Sequence, residues 1–250
     1  MTTDVTAGSE SFSHEGGPSG VLVLHGFTGS PPTLRSIAEM CAKAGYSVEL
    51  PRLPGHGTTV EDMMTTTWSD WSRTAEGAYD SLAERCEKVA VVGLSMGGGL
   101  AAYVAERRPG VAGCVFINPI VTSPPAELVD GVNQLLDAGV ETFESIGSDI
   151  KKEGGDGAAY DATPLVPLRS LFEAIVSVNE NLPLISAPSL LITSREDHVV
   201  TWDNGSELIA KVSGPVERVW LENSYHVATV DNDQELVESL TSDFLSRVLS

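Results

Sequence analysis

From Gly20 onward the chain alternates between short, unbroken apolar runs and longer stretches whose apolar positions recur at helical spacing. The runs Val21 to Leu24, Ser47 to Leu50, Val89 to Val92, Gly113 to Ile117, Ser189 to Thr193 and Val216 to Leu221 predict buried strands. Between them Thr33 to Ala44, Ser69 to Arg85, Met96 to Arg107, Ser170 to Asn179, Asp203 to Lys211 and Gln234 to Leu249 predict helices. Alternation of this kind builds one open, mostly parallel sheet with helices on both faces. Two stretches stand outside it. Residues 1–19 are polar, with scattered apolar positions and Gly16-Gly17-Pro18 at their end, which predicts a loose arm or an edge hairpin. Residues 119–168 are too long for a plain crossover: a weak helical pattern at Val129 to Leu136 is interrupted by Pro124-Pro125, Gly154-Gly155 and Pro164. They are expected to form a small helical cap on a core made of residues 20–118 and 169–250, and insertions of this size usually carry function.

Charge narrows the partners. With 15 Lys and Arg against 35 Asp and Glu, the formal charge of −20 repels phosphate backbones and anionic lipid head groups, so nucleic acid is not expected. Three well-separated cysteines (Cys41, Cys86, Cys114) form no metal-binding spacing and read as reduced thiols. No apolar run has the length of a membrane span and residues 1–20 do not read as a signal peptide, so the cytoplasm is the expected compartment.

The sharpest chemical signal is Gly93-Leu94-Ser95-Met96-Gly97, lying between a predicted strand and a predicted helix. In that context the flanking glycines allow a sharp turn that lifts a strained serine above the sheet. A serine hydroxyl needs a base, and the base needs an orienting acid. His226 follows the last predicted strand by five residues, and Asp197 follows Ser189 to Thr193 by four, both at carboxyl ends of strands where open α/β sheets gather working groups. Glu196 is the competing acid. His198 is expected to pack in its loop and be carried away from Ser95 by the following helix; His14 reads as solvated, and His25 and His56 as loop-holding groups in glycine-flanked turns. Two backbone N–H groups are needed for a tetrahedral oxyanion. The candidates are Met96, next to the serine, and Phe27, in the His25-Gly26-Phe27-Thr28-Gly29 loop after the first predicted strand.

These residues, with Pro54-Gly55-His56-Gly57, Ser145-Ile146-Gly147-Ser148-Asp149, Glu196-Asp197-His198 and Asn223-Ser224-Tyr225-His226, resemble blocks of the bacterial α/β-hydrolase carboxylesterases, most closely the bacterial monoacylglycerol lipases. The resemblance covers nearly all of the chain after Gly20. It implies the α/β-hydrolase fold, a catalytic triad at Ser95, Asp197 and His226, an oxyanion hole at Phe27 and Met96, and a cap that guides an acyl chain to the serine. Ile146, Ile150 and Asp156 are the candidate substrate contacts in the cap. Glu153 is a second candidate for binding a polyol, weighed against a solvated acidic loop. Gly154-Gly155 and Gly157 stand where relatives carry bulkier or acidic side chains.

The expected activity is hydrolysis of neutral carboxylic esters, monoacylglycerols among them, through an acyl-enzyme. It requires no metal and no organic cofactor, and its partner is a small-molecule acyl ester, with transient contact with lipid aggregates left open. Thioesterase or carbon-carbon hydrolase chemistry on the same scaffold is the alternative within enzymes. A non-catalytic ligand receptor is the alternative outside them.

Overall fold

A computed structural model of the chain describes residues 4–145, 148–155 and 157–250. Its central sheet has seven strands: β1 (Phe12–His14), β2 (Ser19–Leu24), β3 (Ser47–Leu50), β4 (Lys88–Leu94), β5 (Val111–Ile117), β8 (Ser189–Ser194) and β9 (Val216–Leu221). They lie in the order β1-β3-β2-β4-β5-β8-β9, with β1 antiparallel to β3 and the remaining pairs parallel.

Side chains in a strand alternate between faces, and in the middle of this sheet, at β2, β4, β5 and β8, both faces are dry. Leu22, Leu24, Val91 and Phe116 point into one core, where α3 (Trp68–Ala83), α4 (Met96–Arg107) and α6 (Leu165–Asn181) cover them with Trp71, Leu100 and Ile175. Val21, Val23, Val92 and Val115 point into the other, under α1 (Arg35–Lys43) and α8 (Gln234–Val248), which bring Ile37, Cys41, Phe244 and Leu245. Burial on both sides explains why β2, β4, β5 and β8 appear in the sequence as mainly apolar runs, whereas β9 carries Glu217 and Arg218. Two shorter helices complete the core, α2 (Val60–Met63) and α7 (Asp203–Lys211).

Residues 6–18 do not form a hairpin. β1 pairs Phe12 with Leu50 and His14 with Val48, across β3, while Thr6 N–H donates to Gly57 C=O and buried Ser9 meets Ser30 at 3.2 Å. The segment after β5 contains α5 (Ala126–Asp137) and an antiparallel ribbon of β6 (Thr142–Glu144) and β7 (Ala162–Pro164). The expectation for that segment was helix alone. α6 begins at Leu165, five residues before the predicted start, with Pro167 inside its first turn. A first-turn N–H has no intrahelical acceptor, so proline is tolerated there.

Candidate active site

β4 ends in the turn that presents Ser95. The serine has φ 58° and ψ −120°, a conformation that costs on the order of 1–3 kcal/mol in a residue with a side chain. Neighbours hold it there. Ser95 N–H donates to Ile117 C=O at 3.0 Å, and its own carbonyl accepts from Gly98 at 2.8 Å and Ile120 at 3.1 Å. Gly97 lies against the carbonyls of Leu24 and His25, and Gly93 against that of Gly97, so a side chain at either position would push the turn apart. The axis of α4 starts at Met96, directing the positive end of its dipole toward the serine.

His226 and Asp197 come from the loops after β9 and β8. The Nδ1 of His226 lies 2.8 Å from Oδ2 of Asp197, whose Oδ1 accepts the Val199 and Val200 N–H groups at 2.9 and 2.8 Å. With Nδ1 donating to the carboxylate, the other ring nitrogen is an acceptor. The Asp197 side chain is 2% exposed and that of His226 7%. Glu196, the competing acid, points outward and pairs with Lys151 at 2.8 Å. The carbonyl of His226 accepts from Asn118 Nδ2 at 2.8 Å, and Ser194 N–H donates to Asn118 Oδ1 at the same distance. Buried Asn118, with φ 41°, thereby ties the ends of β5 and β8 to the histidine loop.

Phe27 and Met96 line one cavity with Ser95 and His226, and among the described residues no acceptor engages the backbone N–H of either. Behind the Phe27 loop, Leu53 N–H donates to His25 Nε2 at 3.1 Å, which puts the His25 proton on Nδ1, facing Gly26 C=O at 3.0 Å. Burial pushes the His25 pKa down to about 4 and that of His56 well below the usual imidazole range. These two neutral rings, 5.1 Å apart, brace the turn against Trp71, and the Tyr160 hydroxyl fastens the neighbouring turn by donating to Gly55 C=O at 2.8 Å.

The cavity encloses about 730 Å³, a volume suited to a small organic ligand. Ile120, Leu128, Phe143, Leu168, Leu171 and Phe172 give it an apolar wall, and Ser123, Ser145, Ser148 and Thr201 place hydroxyls along it. Among the described residues, its titratable lining residues are Asp149, Asp203, His198 and His226.

Of the predicted substrate contacts, Ile146 and Asp156 lie outside the described residues. Ile150 is not a lining residue: its side chain packs over Gly155 and Gly157, because the backbone of the next two residues turns to meet Asp231. Glu153 is exposed and away from the cavity. His198 departs from expectation in the opposite sense. α7 starts only at Asp203, so His198 stays at the cavity, paired with Asp149 at 2.8 Å, and that hydrogen bond raises its pKa. Asp149 itself stood in a block noted for resemblance and was given no role. Asn118, Tyr160 and Asp231 were not singled out, since their partners are distant in sequence and only the positive φ of Asn118 marks any of them locally.

No helix among the described residues is long and apolar enough to cross a membrane, and among them no group of three or more His, Cys, Asp or Glu side chains could hold a metal ion.

The chain is 42% identical over 245 residues to the thermostable monoacylglycerol lipase of Bacillus sp. (strain H-257), covering 97% of this chain and 96% of that protein. It is 27% identical over 240 residues to a carboxylesterase of Bacillus subtilis (strain 168), covering 95% and 96%. A solved structure described with the metagenome-derived lipolytic enzymes LipS and LipT superposes with a TM-score of 0.93 at 41% identity, over 98% of this chain and all of that one. Residues 21–239 match the alpha/beta hydrolase family. With a parallel sheet of that topology and a serine at its strand-to-helix turn, the chain belongs to the alpha/beta hydrolase family.

Proposed function

We propose that this protein is a serine carboxylic ester hydrolase that cleaves monoacylglycerols and related neutral acyl esters, with Ser95 as nucleophile, His226 as base and Asp197 as its orienting acid. The observation that carries the reading is the Asp197–His226 hydrogen bond beside a cavity that His226 shares with strained Ser95. His226 removes the hydroxyl proton as Ser95 attacks the ester carbonyl, and the N–H groups of Phe27 and Met96 stabilise the oxyanion. The imidazolium then protonates the leaving alcohol. Water, activated by the same histidine, releases the acid, while Asp197 fixes the tautomer and stabilises the imidazolium.

The cavity supports a neutral substrate. Its apolar wall suits an acyl chain, its hydroxyls suit a polyol, and Asp149 and Asp203 repel anionic carriers such as acyl-CoA. The sequence likeness to a monoacylglycerol lipase favours the glycerol ester. Residues 119–168 act as the cap, and exposed Leu128, Phe143, Val199 and Trp202 near the mouth provide transient contact with neutral lipid aggregates. Three free cysteines, two of them buried, support a cytoplasmic setting.

The test is hydrolysis of a chain-length series of monoacylglycerols beside alkyl esters of the same acids, with wild type and Ser95→Ala in parallel. The wild type should prefer the glycerol esters, and the variant should lose at least about 10⁴-fold in rate. A Ser95→Ala protein that keeps wild-type turnover rejects the mechanism, and equal wild-type rates on both series reject the glycerol preference.

A further inference from the structure

The cap and the histidine loop are joined by two carboxylates that reach across in opposite directions. From the cap, Asp149 Oδ2 accepts the N–H of His226 at 3.1 Å and, from the acid loop, that of His198 at 3.1 Å. Its Oδ1 meets His198 Nδ1 at 2.8 Å, and its carbonyl accepts Val227 N–H at 3.1 Å. From the histidine loop, Asp231 reaches back. Its Oδ2 accepts Lys151 N–H at 2.7 Å and Tyr225 N–H at 2.8 Å, while Oδ1 accepts Lys152 N–H at 2.8 Å and Asn232 N–H at 2.7 Å.

These are not surface ion pairs of small worth. Asp231 is 1% exposed and the Asp149 side chain 9%, so each carboxylate depends on the N–H groups aimed at it for the solvation it has lost. Moving the cap away would take from Asp231 the Lys151 and Lys152 N–H groups and from His226 N–H its Asp149 acceptor together. The His226 peptide is therefore held at both ends, its carbonyl by Asn118 from the core and its N–H by Asp149 from the cap.

We infer that Asp149 is a positioning residue for His226, and that with Asp231 it makes the cap a structural part of the catalytic base. This rests on the reading of His226 as the base. The cap then does more than shape the acyl site: it holds the imidazole in register with Ser95. Misplacement of a reacting group by about 1 Å costs on the order of 100-fold in rate, which sets the scale of the effect.

The experiment compares wild type, Asp149→Ala, Asp149→Asn, Asp231→Asn and Ser95→Ala, each checked for a cooperative thermal transition. It reads kcat and KM on short- and long-chain esters and the rate at which a fluorophosphonate probe labels Ser95. Asp149→Ala should lower kcat and the labelling rate together, by roughly 10- to 100-fold at every chain length, with KM changed about twofold or less. Asp149→Asn should recover most of that loss, because its amide oxygen still accepts the His226 N–H and its amide nitrogen can face neutral His198. A folded Asp149→Ala protein with wild-type kcat, or one whose loss is confined to KM for long chains, overturns the inference. If Asp149→Ala does not fold, Asp231→Asn carries the test from the other arm: lowered kcat and labelling at all chain lengths support it, and wild-type values overturn it. Activity in Ser95→Ala would sink the triad reading itself, whereas an inactive Ser95→Ala beside a fully active Asp149→Ala sinks only the clasp.

Discussion

Phe116 and Phe143 are the same residue under opposite rules. Phe116, on β5, is 0% exposed inside the core beneath the nucleophile turn, whereas Phe143, on the cap ribbon, is 42% exposed and lines the cavity. The two cores of the sheet are extensive, and each is sealed by helices. The small buried cluster where α5 meets α6 is Val132, Leu165 and Phe172, with Leu128 and Leu135 left nearly half exposed. Apolar side chains in the sheet maintain geometry, including the strained backbone of Ser95, whereas Leu128 and Phe143 of the cap line the cavity. The difference teaches that, under the proposed function, the reaction would be set by the part that cannot yield, and selection of the substrate by a part fastened where carboxylates clasp it.

The strongest challenge to this contrast is a large-to-small change in the core. Phe116→Ala should destabilise by roughly 3–5 kcal/mol, lowering the thermal midpoint by roughly 6–20 °C for a chain of this size, read by calorimetry. Ser95 sits just past β4, the neighbour of β5, so activity should fall at temperatures where the fold still holds. A midpoint shift under about 2 °C would show that the sheet yields as readily as the cap.

Legibility in the sequence followed the same divide. Of the six longer strands, β2, β4, β5 and β8 were readable because burial on both faces makes each a mainly apolar run, and the serine was readable because its turn needs glycines at fixed local spacing. β1, β6 and β7 are three residues each, and what makes them strands is a partner elsewhere: Phe12 pairs with Leu50, and Thr142 with Pro164. Asp149 and Asp231 were opaque for a related reason. The partners that join the two loops are backbone N–H groups about 80 residues away, those of His226 and Lys151, and a backbone donor leaves no mark on the identity of the residue that carries it. The place of Ile150 is opaque for the same reason: its side chain packs over Gly155 and Gly157 where the backbone of Lys151 and Lys152 is bound to distant Asp231.

A buried carboxyl on α4 gives a smaller effect of defined sign. Glu106, on α4, has a side chain 1% exposed with both oxygens lacking a hydrogen bond among the described residues, and burial raises its pKa to about 7. Between the ordinary carboxylate pKa and about 7 the folded state holds a proton that the unfolded state has lost, so stability falls as pH rises. The buried histidines act with the opposite sign. His25 stays neutral down to about 4 and His56 also resists protonation, whereas the unfolded chain protonates both below about 6.5, so their contribution falls as pH drops. Glu106→Gln should be close to neutral at pH 4.5 and stabilising by roughly 1–3 kcal/mol at pH 8, as followed by denaturant unfolding. A gain of equal size at both pH values would rule out ionisation as the cause.

The smallest effect is the most discriminating, because it asks whether cap apolar groups serve substrate and not fold. Phe143→Ala and Leu128→Ala should each change stability by about 1 kcal/mol or less, since both residues are already nearly half exposed. If each covers ~40 Å² of a long acyl chain, burial at ~25 cal/mol/Å² amounts to ~1 kcal/mol, or about a fivefold rise in KM. The rise should vanish for acetyl and butyryl esters, whose chains end before they reach these residues, and kcat should hold at every length because the histidine clasp is untouched. Steady-state kinetics across the chain-length series, with thermal midpoints for the same preparations, separates the two roles. A KM rise equal at all lengths would mean that these side chains shape the cavity entrance and do not hold the chain. A fall in midpoint comparable to that of Phe116→Ala would mean that the cap is packed as the sheet is, and the division drawn between the two phenylalanines would go with it.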